Sequence, residues 1–187
     1  MLSRAELKLP DDKLGALLRK RTSGLERDKE ADESHRDVAF LFELDQQVRK
    51  GGFAQYFFNA SCPNAFDAWF ASDVIDNVAN ELLSHALNRL GAEFGVDLEL
   101  HRLFDEGGGD ALGKAYAHLI EIYQGAHEAA PDLKEAYVAF AARLEGDKQG
   151  LPGFAKINRQ YLKEVDTDAA VCEHVRAEPE PFLSARK

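Results

Sequence analysis

Between residues 75 and 90 the apolar side chains fall at Ile75, Val78, Ala79, Leu82, Leu83, Ala86, Leu87 and Leu90, and Gly91 follows them. Intervals of three and four place these side chains on one face of an α-helix, whereas a strand, with its period of two, would scatter them over both faces. A helix with one apolar stripe needs a partner surface, and the rest of the chain supplies stripes of the same kind. Val38, Leu41, Phe42, Asp45 and Val48 repeat the spacing within 36–49, widened by Phe40 and Leu44. Leu112, Ala115, Tyr116, Leu119, Ile120 and Tyr123 form another. Leu133, Ala136, Tyr137, Phe140 and Leu144 form one that opens at Pro131-Asp132. Leu14, Leu17 and Leu18 mark a helix near 11–20, Phe154, Ile157, Tyr161, Leu162 and Val165 one in the C-terminal third, and a last short helix is expected over 169–175. Only "GVDLEL" alternates like a strand, and "LHRLF" after it does not. That stretch is read as a helix or turn running into a glycine-rich loop at Gly107-Gly108-Gly109. The expected fold is all-α, a single-domain multi-helix bundle with short loops.

A chain of 187 residues, 45% of them hydrophobic, is long enough for one sizeable core and short for two. Residues 1–34 are read as an N-terminal helix and a charged linker, "RTSGLERDKEADESHRD", 35–176 as the helical domain, and 177–187, "AEPEPFLSARK", as a loosely held tail. No apolar run approaches the roughly 18–20 residues that span a bilayer, and "MLSRAELKLPDDK" lacks an apolar signal core, so a soluble, cytoplasmic protein without a membrane partner is expected. Cys62 and Cys172 stand far apart with no metal-type spacing and are read as buried free thiols.

Charge is unevenly spread. Residues 61–150 hold 16 acidic against six basic side chains, which places the entire net charge of −10 in the middle of the chain. Such a field repels nucleic acid and anionic membrane and attracts a basic protein surface. The densest part is Asp97, Glu99, Asp105, Glu106 and Asp110, within 14 residues whose one basic member is Arg102. These five are the candidate partner-binding residues. A dispersing role for the same charge is the plain alternative.

"RKGGFAQYFFNAS", from Arg49 to Ser61, sets two glycines before a run of aromatic rings. Neither a buried strand before the glycines nor a Lys-Ser/Thr pair after them is present, so a phosphate cradle is not indicated. The pair is read as a joint: the helix of 36–49 ends, one glycine takes positive φ, and a short helix begins with Phe53, Tyr56 and Phe57 on one buried face. At least one of Gln55 and Asn59 is expected to hydrogen-bond backbone at this junction. After Pro63, Asn64 is the expected N-cap of the next helix and Asp67 its first-turn carboxylate.

Gly51, Gly52, Phe53, Gln55, Tyr56, Phe57 and Asn59, with Leu90, Gly91 and Ala92 further on, resemble the signature of a bacterial helical domain family typified by DNA mimic protein nineteen. The likeness covers roughly residues 38–95. Lys50 stands where the family has Asn, and Cys62-Pro63 follows Ser61 where Gly is usual. The resemblance implies an acidic protein, dimeric in its best-understood member, that occupies the DNA-binding surface of a transcription regulator. The glycine motif itself looks structural, so that role depends on the acidic surface rather than on the matching residues.

Two other classes compete with this one. A helical scaffold or immunity-type interaction protein needs only an exposed binding face. A metal-dependent enzyme would draw on Glu81 and His85 at i, i+4, His118 and Glu121 at i, i+3, and His127-Glu128, but none reproduces the repeated Glu-x-x-His of helical di-iron sites. Asp105, Glu106 and Asp110 around the glycines do not follow the alternating-ligand calcium loop. No catalytic residue, metal or cofactor is expected.

Overall fold

The computed structural model describes residues 2–61, 64–128, 132–146 and 150–183. Among them lie eight α-helices: α1 (Asp11–Thr22), α2 (Glu33–Tyr56), α3 (Ala65–Ile75), α4 (Asn77–Glu93), α5 (Leu100–Glu128), α6 (Leu133–Glu145), α7 (Phe154–Glu164) and α8 (Thr167–Ala177). The described residues form no sheet, so the expected all-α multi-helix bundle is what the chain builds. No helix of the described residues is long and apolar enough to cross a membrane.

Aspartates start four of the helices. Asp32 accepts from Ser34 N at 3.1 Å before α2, Asp76 from Val78 N and Ala79 N at 2.9 and 3.1 Å before α4, Asp132 from Lys134 N and Glu135 N at 2.8 and 3.2 Å before α6, and Asp166 from Ala169 N at 3.1 Å before α8. Each carboxylate satisfies amides that have no intrahelical acceptor and lies at the positive end of its helix. Asp76 also cuts the long stripe: its extended backbone (φ −147°, ψ 100°) ends α3 at Ile75, so the stripe from Val78 onward belongs to α4 alone. Gly91 does not close α4, which runs on to Glu93. A Cβ at Gly91 would lie 2.5 Å from the Val96 carbonyl, so that glycine permits a close backbone approach. Asn64 does not cap α3 through its side chain. Its amide donates to Glu43 on α2 at 3.1 Å instead.

The central element is α2, against which α1, α3, α6, α7 and α8 all pack. Its Val38, Leu41, Leu44 and Val48 are buried, as are Leu83, Ala86, Leu87 and Leu90 of α4 and Phe154, Ile157 and Tyr161 of α7. Leu162, expected on that last apolar face, is half-exposed. Arg89 of α4 is 1% exposed and donates to the carbonyls of Arg143 (2.7 Å) and Gly146 (2.9 Å), closing the end of α6 with a buried guanidinium. Both ends of the described chain are tied down. Leu2 and Phe182 are buried, Leu2 N donates to Phe182 O, and Arg176 donates to the carbonyls of Leu7 and Leu9 at 3.1 and 2.8 Å. Of the segment read as a loose tail, the described part up to residue 183 is anchored through Phe182, because that aromatic ring has a place in the core, packed against His35 at 4.9 Å. Cys172 is a buried free thiol whose pKa burial pushes up to about 11, while Cys62 lies outside the described residues.

Candidate functional site: a glycine joint and two acidic faces

Gly52 has φ 75° and ψ −179°, a conformation open to glycine, and it breaks the hydrogen-bond ladder of α2 with Gly51 (φ −156°, ψ 17°). The expected positive φ is there. The Phe53 amide freed by the break donates to Asn158 Oδ1 of α7 at 2.9 Å. Phe53, Tyr56 and Phe57 are all fully buried, as their spacing predicts. Phe53 meets Tyr161 edge-on at 5.6 Å, and Phe57 meets Phe154 at 5.8 Å. Among the described residues, neither Gln55 nor Asn59 makes the expected side-chain bond to backbone. Both amides donate to one acceptor, Gln47 Oε1, at 3.2 and 3.0 Å, so a side chain two turns back on α2 spans the kink. Asn158 and Gln47 escaped the sequence reading because nothing local marks a polar residue as the partner of a distant break. The motif residues thus form a joint whose aromatic face is buried.

Beside the joint, Asp45 is 2% exposed and accepts from Arg19 Nη2 (2.9 Å), Arg49 Nε (2.8 Å) and Thr167 Oγ1 (3.0 Å). A carboxylate so deeply placed needs such company, since an unpaired buried charge costs several kcal/mol. A cleft of about 870 Å³ opens over this network, but its walls mix Arg19, Arg49, Lys50 and Lys163 with Asp45, Glu164, Asp166 and Asp168, so it presents no field of one sign.

The five acidic candidates are all exposed. Asp97, Glu99 and Glu106 converge on Arg102, with Glu99 and Glu106 each at 2.9 Å and Asp97 in direct hydrogen-bond contact. Among the described residues no ion pair reaches Asp105 or Asp110. The expected glycine-rich loop is not a loop. The glycines sit within α5, which breaks at Gly108 (φ 64°, ψ −168°), and among the described residues no ion pair links Asp110 beyond the break to the other four.

A second acidic group was missed. Glu33, Asp37, Asp67 and Asp73 line a groove of about 310 Å³ between the start of α2 and α3, with Arg36 its one lining cation and Phe40, Phe70, Ala71 and Val74 its apolar part. Burial and neighbouring Glu33 push the Asp37 carboxyl up to about 6, and burial raises that of Asp67. The sequence separates Asp37 from Asp67 by most of α2 and the joint within it, so no short window along the chain collects them.

Of the enzyme candidates, Glu81 and His85 line one cleft of about 540 Å³ together with Ser84, Glu99 and His101. His118 and Glu121 are exposed and 4.0 Å from each other, His127-Glu128 lies outside the described side chains, and among the described residues no three metal-ligating groups come together. Ser84 Oγ lies 3.4 Å from His101 Nε2 but already accepts from Trp69 Nε1 at 2.6 Å, and no carboxylate among the described residues bonds that imidazole. A triad requires such an orienting group. Compared with family models, curated proteins and solved structures, the chain matches none.

Proposed function

We propose that this chain is an acidic protein-binding module, resembling a DNA mimic, that engages a cytoplasmic partner with a basic surface such as a DNA-binding transcription regulator. The observation that carries the reading is the exposed acidic stretch at the start of α5, where Asp97, Glu99 and Glu106 converge on Arg102 and Asp105 and Asp110 stand exposed without an ion pair among the described residues. Three of the five are held in place by that guanidinium, and a fixed array of charge costs less to present to a partner than a mobile one. DNA carries one charge per about 1.7 Å of axis, and Lys and Arg side chains built for phosphates accept carboxylates in the same positions. On this reading the protein acts by occupying a surface, with no catalytic residue, metal or cofactor, and a homodimer would double the charged area.

Capture of the partner from the native lysate, followed by titration with salt, tests it. Binding should weaken steeply as salt rises and should exclude the partner's own DNA. Replacing Asp105→Lys together with Glu106→Lys should reduce affinity about tenfold or more and leave the melting temperature unchanged. Binding that is indifferent to salt, or a ternary complex with DNA, would overturn the mimic reading.

A further inference from the structure

Three large apolar side chains stand in the open next to the missed acidic groove. Val74 is 65% exposed, Phe104 45% and Phe70 37%. They are not scattered. Phe70 and Val74 are one turn apart on α3 and both line the groove, and the Phe104 ring of α5 lies 6.2 Å from that of Phe70. Phe70 is itself braced from behind by Phe66 at 4.9 Å and Trp69 at 5.0 Å, so the patch rests on the core. On one side of it lie Glu33, Asp37, Asp67 and Asp73, and on the other Asp105 directly follows Phe104. Contiguous apolar surface with a charged rim marks interaction sites on soluble proteins.

We propose that the groove between α2 and α3, with Phe70, Val74 and Phe104 as its apolar rim, seats a basic amphipathic helix of the partner protein, an inference that rests on the protein-binding function proposed above. Charge complementarity selects this occupant. Four carboxylates line the groove against one guanidinium, that of Arg36, which leaves an excess of negative charge there. A second copy of the chain using the same face would set carboxylates against carboxylates, and an anionic membrane or a nucleic acid would meet the same repulsion. A helix with apolar anchors one turn apart lays them along Phe70 and Val74 and carries its Lys and Arg to the rim. The raised pKa values of Asp37 and Asp67 agree with this, because a cation brought into the groove would offset the burial that disfavours their charged forms.

The test uses the full chain and synthetic peptides of about 14 residues, four helical turns. One has Leu and Lys arranged so that all Leu fall on one helical face. Its isomer has the same composition with that face scrambled, and a third replaces Leu by Ser. The amphipathic peptide should bind about tenfold more tightly than its isomer, and its amide chemical-shift changes should centre on Phe70, Val74 and Phe104. Val74→Ser combined with Phe104→Ser should remove that preference, and the unchanged melting curve expected of exposed positions shows that the fold persists. If both Leu peptides bind equally and in a salt-sensitive way, or the preference survives the double substitution, the groove is not the seat, while the acidic binding module stands. If no lysine peptide binds at all, both readings fall.

Discussion

Gly52 in α2 and Gly108 in α5 adopt nearly the same backbone conformation, φ 75° with ψ −179° and φ 64° with ψ −168°, and each interrupts a long helix after an adjacent glycine. Their surroundings are opposite. A Cβ on Gly52 would lie 2.3 Å from the Asn158 amide nitrogen, whereas one on Gly108 would meet nothing within 4 Å. Past Gly52 the chain carries three fully buried rings and a backbone amide bonded to α7. Past Gly108 it carries exposed Gly109 and Asp110 before Leu112 returns to the core. The same local device is therefore a fixed joint in one place, where packing on both sides dictates the angle, and a bend on an open acidic face in the other, where little enforces it. A glycine pair in a sequence predicts that a helix can break there. Only the tertiary contacts decide whether it must.

The largest effect expected from this contrast is at the ring that locks the first joint. Phe57 is fully buried between Phe53, Tyr56 and Phe154, and Phe57→Ala should cost about 3–5 kcal/mol, read as a fall in the denaturation midpoint. A melting temperature that does not move would mean that the joint does not depend on its aromatic face. Gly52→Ala should follow, at roughly 2–4 kcal/mol, because it combines the strain of a side chain at this φ and ψ with displacement of the Asn158 amide that the Phe53 N–H uses.

That hierarchy also explains what could be read from the sequence. Of the stripe expected on α6 only Phe140 and Leu144 are buried, and Leu133 is exposed. The stripes on α2, α4, α5 and α7 were legible because burial on one face imposes a period, and Phe53, Tyr56 and Phe57 were legible for the same reason. Asp76 was not, since a single capping carboxylate inside an unbroken apolar stripe outweighs the period without altering it. The partner that Gln55 and Asn59 share among the described residues, Gln47, was not legible because this side chain, two turns before Gln55, is brought back over the kink only by the bend itself. Phe182 gave no periodic signal in a Pro-containing tail, yet one large ring suffices to anchor it. Of the acidic surfaces, the one contiguous in sequence was visible. The groove assembled from α2 and α3 was not, because helix packing rather than chain order brings Asp37 and Asp67 together.

Asn158→Ala isolates the contribution of α7 to the first joint. It deletes the acceptor of the Phe53 amide and leaves that buried donor unpaired, at about 1–3 kcal/mol, whereas Asn158→Asp keeps an acceptor oxygen and should lose less. Equal losses for the two variants would show that the side chain fills space rather than holding the amide.

The smallest effect is expected at the second break, and it is the sharpest test of the contrast. Alanine at Gly108 faces the same backbone penalty as at Gly52, about 1–3 kcal/mol, if the bend is kept. Here the chain has another course, since no neighbour occupies the Cβ position and the segment is helical on both sides, so α5 can close its ladder through residue 108 and recover most of that cost. Alanine is also favoured over glycine in a helix interior by roughly 0.5–1 kcal/mol. Gly108→Ala should therefore change stability by less than about 1 kcal/mol in either direction while raising the helical signal in circular dichroism. A loss as large as that of Gly52→Ala, without added helix, would mean that the bend in α5 is held as firmly as the joint in α2, and the distinction between them would fail.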